Sequence, residues 1–139
     1  MADKNSEKYH AVMLIDDNEI DNLINQKMIE ASNITHNIFT HTGARSAIEF
    51  LKNIEKLEGI SDNALPDIIF LDIDMPLMDG FQFLDEFEKL NDKTREKCNI
   101  VMLTSSINPQ DLNKSKKYKS VKKYINKPLT QENLLKLEV

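Results

Sequence analysis

Residues 68–80, IIFLDIDMPLMDG, carry an apolar run into Asp72 and Asp74 and then turn at Pro76. A carboxylate placed there can accept a phosphoryl group, ligate a metal or cap a helix. Three other apolar runs also end on reactive groups: AVMLIDD on Asp16 and Asp17, NIVMLT on Thr104, and SVKKYINKP on Lys127. Three ionised aspartates brought together repel one another, so their meeting calls for a cation. Magnesium fits best, because it takes oxygen ligands and needs only one or two protein carboxylates beside a substrate phosphate. Zinc would want Cys or His, and a calcium loop would want acids at alternate positions of one segment; this spacing supplies neither. Lys127 adds a mobile point charge and Thr104 a hydroxyl donor. Phosphoryl transfer asks chiefly for alignment and charge neutralisation, so Asp72 can be its nucleophile.

For these residues to meet, the elements carrying them must lie side by side. A buried strand is expected at residues 9–15, a weaker one within ITHNIFTHTG, and further strands at 66–72, 99–104 and 120–126. Ile20, Leu23, Ile24, Met28 and Ala31 recur at helical spacing, with Asp17 or Asn18 as cap and this stripe as the face against the sheet. A second helix from Gly43 turns Ala47, Ile48, Leu51, Ile54 and Leu57 inward. After a loop around GISDNALP, further helices are expected at 80–90, from about Pro109 to Lys117, and from Thr130 to the end. Five strands alternating with five helices predict an α/β domain with a parallel sheet covered on both faces. In such sheets functional groups gather beyond the carboxyl ends of the strands, which is where the reactive residues stand.

The totals narrow the function classes. With 139 residues, 40% of them hydrophobic, and only 3 Gly and 4 Pro, the chain can bury one continuous core. A formal net charge of -5 argues against general nucleic-acid binding, which relies on excess Lys and Arg. One cysteine excludes an internal disulfide, and Cys98 is expected to be an inert thiol. With no signal peptide or long apolar span, the protein is expected to be soluble and cytoplasmic, with no membrane partner. His10, His36 and His41 are scattered and carry no site.

LDIDMPLMDG resembles the phosphoacceptor motif of response-regulator receiver domains, and IDD at 15–17, LTSS at 103–106 and YINKP at 124–128 match the family's other motifs in order. The resemblance covers about residues 8–139 and is to single-domain, chemotaxis-regulator-like receivers of two-component signalling. It implies a flavodoxin-like (βα)5 sheet of order 2-1-3-4-5, a polar tail at 1–8, a receiver at 9–139 and no effector domain in this chain. It implies that Asp72 takes a phosphoryl group from a sensor histidine kinase or histidine phosphotransfer protein. Magnesium, or manganese in its place, would be held by Asp17, Asp72 and the carbonyl of Asp74, with Asp16 acting mainly through water. Lys127 would contact the phosphoryl oxygens. Thr104 would move toward them and let the ring of Tyr124 turn inward, altering a surface read by a downstream protein. Asp74 and Ser106 would tune the lifetime of the acyl phosphate. Such a protein is no conventional enzyme, yet it catalyses its own aspartyl phosphorylation and dephosphorylation.

Other readings compete. A haloacid-dehalogenase-type phosphatase uses an apolar strand followed by two aspartates at this spacing, but Pro76 occupies the place of its Thr or Val, and Asp16 and Asp17 would go unexplained. A pseudo-receiver would bind without taking phosphate, although every key position is filled. Tyr124 can be core instead of switch. The basic run KSKKYKSVKK at 114–123 is either a solvated face or, through Lys116, Lys117 and Lys119, a contact for an acidic partner.

Overall fold

The computed structural model describes residues 8–57 and 64–137. Its elements are β1 (Val12–Ile15), α1 (Glu19–Ser32), β2 (Ile38–His41), α2 (Ala44–Lys56), β3 (Ile68–Asp72), α3 (Gly80–Phe87), α4 (Asp92–Lys97), β4 (Asn99–Thr104), α5 (Pro109–Ser115), β5 (Val121–Asn126) and α6 (Gln131–Leu135). All strand pairs are parallel, in the order β2-β1-β3-β4-β5. The expected α/β sheet and its flavodoxin-like order are therefore present. The expected tail lies almost wholly outside the described residues, as does most of the loop around GISDNALP.

Strand side chains alternate between two cores. Met13, Ile15, Ile69, Leu71, Ile100 and Met102 face one side with Ala47, Ile48 and Leu51 of α2 and Phe83, Leu84 and Phe87 of α3. Val12, Leu14, Ile68, Phe70, Val101 and Leu103 face the other with Ile29 of α1 and Leu134 of α6. The central strands are apolar on both faces because both are covered, and each fully buried Leu, Ile or Phe contributes about 1.5–3 kcal/mol.

Three expectations need correction. The stripe Ile20, Leu23, Ile24 and Ala31 does not face the sheet: these side chains are exposed, Met28 is half-buried, and α1 turns Asn22, Asn25 and Ile29 inward. The reason lies in the connections beneath the helix. Asn22 Nδ2 donates to the carbonyls of Asp16 and His41 at 2.9 and 3.3 Å, and Asn25 Oδ1 accepts from Leu129 N at 2.9 Å. Buried backbone groups at strand ends need partners, and two asparagines provide them where leucines could not. Leu57 likewise ends α2 as an exposed cap instead of packing inward.

The helix expected at 80–90 ends early, at Phe87, and a further helix that was not expected follows it before β4. α3 stops at Phe87, Leu90 N bonds back to Phe87 O, and Asn91 caps a new short helix through Thr94 N at 3.0 Å. α4 reads DKTREK and buries only Thr94, so it carries no apolar periodicity from which to infer it. Six helices thus cover the sheet among the described residues.

Candidate functional site

The strand register accounts for the meeting of the acids. Ile15 pairs with Leu71, so Asp16 and Asp72 occupy the next rung of neighbouring parallel strands. Asp72 pairs with Leu103 and Thr104 with Asn126, which brings Thr104 and Lys127 to the same sheet end. One carboxylate oxygen each from Asp16, Asp17 and Asp72 lies within 4.8 Å of the others. Asp16 and Asp72 are buried, whereas Asp17 is exposed. Asp16 is also held by its own loop, its Oδ1 accepting from Asn18 N at 2.9 Å.

Lys127 closes the cluster. Its ammonium lies 3.0 Å from Asp16 Oδ2, 3.0 Å from Asp21 Oδ2 and 3.3 Å from Asp72 Oδ1. Its N–H donates to Thr104 O at 2.7 Å, which ties the end of β5 to β4, and the Lys127–Pro128 peptide is cis. Burial alone would lower its pKa, but hydrogen bonds to Asp16 and Asp21 and the charge of Asp72 outweigh burial and hold it above the ordinary value. The lysine is therefore a fixed cation at neutral pH. Asp72 behaves oppositely: burial first, then repulsion from Asp16, pushes its carboxyl up to about 6 against the pull of Lys127.

The donor set fits a hard divalent cation. Counting Asp21, four carboxylates share one ammonium, so negative charge exceeds positive where burial makes charge costly, and no soft ligand is present in the set. The exposed Asp17 leaves one side of the cluster open to solvent and to an incoming substrate.

The approach to Asp72 is shaped by the motif's final residues. Asp79 and Gln82 form a reciprocal capping box at 2.9 and 2.8 Å, starting α3 directly after the loop. Gly80 N donates to Ile73 O at 2.9 Å, and a Cβ at Gly80 would lie 2.9 Å from the Asp72 carbonyl oxygen. The glycine thus lets the helix start against the backbone that carries the acid. Leu77, in the same loop, is fully exposed at φ 69°.

Thr104 and Tyr124 form a second layer. Thr104 Oγ1 donates to Ser106 O at 2.9 Å and accepts from Ser106 N at 3.2 Å, so its hydroxyl is engaged with its own loop. The Tyr124 ring packs against the core, and its buried hydroxyl sits beside Thr104 and the Asn108 backbone without a well-formed hydrogen bond. Burial, and next the charge of Asp111, raise its pKa. Asp74 and Ser106 are exposed at the rim. Asp16, Asp17, Asp72 and Lys127 come together as expected from the sequence, Thr104 and Tyr124 stand behind them, and Asp21 is a member the sequence reading missed. Its signal was an acid in the first turn of the helix that follows the Asp16–Asp17 pair.

The chain matches the response regulator receiver domain family over residues 12–137. It belongs to that family. The receiver is 31% identical over 131 residues to the sensor histidine kinase CheAY of Helicobacter pylori, covering 94% of this chain and 15% of that protein. It is 28% identical over 101 residues to the response regulator Rcp1 of Synechocystis, covering 73% of this chain and 65% of the relative. Thus the chain spans less than two thirds of either relative's length. Among solved structures, a two-component response regulator from Cytophaga hutchinsonii superposes with a TM-score of 0.82 at 30% identity, over 93% of both chains. The phosphorylated cyanobacterial phytochrome response regulator RcpA superposes with 0.71 at 26% identity, over 91% of this chain and 86% of that one. Receivers of this kind serve two-component signalling, and the acid pair beside Asp72, which the phosphatase reading leaves unexplained, is accounted for by the family. Among the described residues no helix is long and apolar enough to cross a membrane.

Proposed function

We propose that this receiver is a phosphorylation-dependent switch in which Asp72 takes a phosphoryl group from a phosphohistidine on a kinase or phosphotransfer protein. The observation that carries the reading is the buried Asp72 carboxylate 3.3 Å from the Lys127 ammonium and clustered with Asp16 and Asp17. In the transfer an Asp72 oxygen bonds to phosphorus as the nitrogen–phosphorus bond of the donor breaks, and the leaving imidazole nitrogen takes a proton from solvent. Asp17, Asp72 and the Asp74 carbonyl would hold magnesium or manganese, with Asp16 acting through water; the bound ion neutralises charge on the phosphoryl oxygens. Lys127 orients and neutralises those oxygens from the other side. Thr104 exchanges its bond to Ser106 for one to the phosphoryl group, and Tyr124 follows into the space released. A doubly charged group held by Lys127 and Thr104 then favours one packing of the β4–α5 loop and β5 over another, which is the signal. Asp74 and Ser106, at the rim, set how readily water reaches the acyl phosphate, whose hydrolysis restores Asp72. The same site makes self-dephosphorylation, not turnover of a diffusible substrate, its chemistry.

The decisive experiment incubates the protein with magnesium and a small acyl-phosphate donor and weighs it. One phosphoryl mass is expected on the wild type and none on Asp72→Asn. No adduct, or one that survives the substitution, removes the reading.

The donor protein must reach Asp72 over α1, which begins at the site and exposes Ile20, Leu23 and Ile24 along one face. This stripe supports a protein donor that buries apolar surface there. Leu23→Lys is expected to slow phosphorylation by a phosphohistidine protein about tenfold, the effect of losing about 1.4 kcal/mol of docking energy. Phosphorylation by the small donor should stay within about twofold, because that route needs no docking. Equal slowing with both donors would place the fault in the site and not in the surface. On the opposite flank Lys116, Lys117 and Lys119 are all exposed, as either reading of the basic run requires. A downstream partner with acidic side chains suits them, and the cytoplasm, where histidine kinases present their phosphohistidine, suits the whole scheme.

A further inference from the structure

Lys127 is surrounded by more acid than the phosphoryl chemistry uses. Asp16 and Asp72 belong to the cation cluster, but Asp21 does not, although its Oδ2 is as close to the ammonium, at 3.0 Å, as that of Asp16. Asp21 sits in the first turn of α1, where its N–H bonds to the Asn18 cap at 3.0 Å. Its side chain is 36% exposed, against 3% for Asp16 and Asp72, so it marks the solvent side of the lysine.

Resting on the proposed phosphoryl-transfer reading, we propose that Asp21 is a positioning residue. It receives the Lys127 ammonium when a divalent cation occupies the Asp16, Asp17 and Asp72 carboxylates. The ammonium lies 3.0 and 3.3 Å from oxygens of Asp16 and Asp72, and it therefore competes with any metal for them. Two cations cannot share those oxygens without repulsion, so the ammonium must retreat, yet stay within reach of a phosphoryl group on Asp72. The flexible four-carbon stem permits a small swing. Without Asp21 the retreat would lead toward the positive end of α1, an unfavourable place for a cation. The Asp21 carboxylate reverses that local sign and keeps the ammonium paired throughout. Lys127 is thereby held ready beside the metal instead of being expelled into solvent.

The test is calorimetric titration of the metal-free protein with magnesium chloride alone, which reads binding and not phosphorylation. Asp21→Asn should weaken magnesium binding about fivefold, equal to about 1 kcal/mol and the upper range for a partly exposed ion pair. Asp21→Ser should repeat the loss, and Asp21→Glu should restore affinity to within about twofold of wild type. In a Lys127→Met background, where no ammonium needs a place to go, Asp21→Asn should change affinity less than about twofold. An unchanged affinity in Asp21→Asn overturns the proposal, as does an equal loss with and without Lys127, which would reduce Asp21 to a distant charge. A wild type that binds no magnesium would instead overturn the proposed function, and this inference with it.

Discussion

Asp72→Asn is expected to make the metal-free protein more stable at pH 7.5, by about 2 kcal/mol. The Asp72 carboxyl is buried and its pKa stands at about 6 instead of 3.8. A carboxyl whose folded pKa is raised favours folding while it is protonated. That contribution is fully present below pH 3.8 and is lost as pH rises through about 6. Above pH 6 the wild type must therefore carry a poorly solvated charge; the displacement from 3.8 to about 6 corresponds to about 3 kcal/mol. That displacement already includes the attraction of Lys127, so asparagine removes most of the cost, less what is lost in repacking around the amide.

Two signatures separate this account from a general stabilisation. The advantage of Asp72→Asn should shrink as pH falls from about 6 toward 4, since the wild-type acid is then neutral. Magnesium should also reverse the order: at a hundred times its dissociation constant a ligand adds about 2.7 kcal/mol to a protein that binds it, and the variant lacks a key ligand. Urea unfolding at several pH values, with and without magnesium, measures both. A variant no more stable than wild type at pH 7.5 would mean that Lys127 fully compensates Asp72. The cost of keeping an uncompensated acid at the centre of the sheet is the cost of a site ready for a cation and a phosphoryl group.

Gly80→Ala is expected to destabilise the protein by about 2 kcal/mol and to slow phosphorylation by a small donor at least tenfold. The added Cβ would stand 2.9 Å from both the Asp72 carbonyl oxygen and the Ile73 Cα. These are backbone atoms of the sheet and cannot swing aside as a side chain would. Relief requires α3 to lift away or the end of β3 to shift, and the second displaces the carboxylate itself. The preference of helices for alanine, about 1 kcal/mol in an interior position, offsets only part of this. Gly43 supplies the control. A Cβ there meets nothing within 4 Å, and Gly43 caps α2 without a side-chain bond, so Gly43→Ser should be neutral or stabilising. Comparable losses at both glycines would show that chain flexibility, not the close approach at Gly80, governs the effect.

The same two positions show why this site was legible in the sequence. Asp72 announced itself because a buried parallel strand must be apolar on both faces, so the first acid after IIFL marks where the sheet ends. Asp16 and Thr104 were legible for that reason too, and Lys127 by its place between the last strand and Pro128. Parallel strands in near register deliver their ends to one place, and strand spacing of about 4.8 Å brings Asp16 and Asp72 within reach of one cation. The helix start at Gly80 was readable too, whereas its Asp79 cap emerged only in the structure.

Less was readable wherever burial depended on a partner remote in sequence. The stripe Ile20, Leu23 and Ile24 has helical spacing, and spacing specifies that a helix forms but not which face turns inward. Asn22 and Asn25 won the inner face because the Asp16 and His41 carbonyls and the Leu129 N–H required polar partners. The presence of α4 was hidden because Thr94 is its only buried residue.

From the sequence alone came the element types of the sheet, the acids and the lysine at its carboxyl edge, and the phosphoryl chemistry their types allow. These are local properties, fixed by side-chain polarity and period. Tertiary structure decided the outward face of α1, the close seat of Gly80 beneath Asp72, and the capture of Lys127 by Asp21. Each of these depends on distances of about 3 Å, some between neighbouring loops and some, as for Asp21 and Lys127, between opposite ends of the chain, and only the packed sheet sets them.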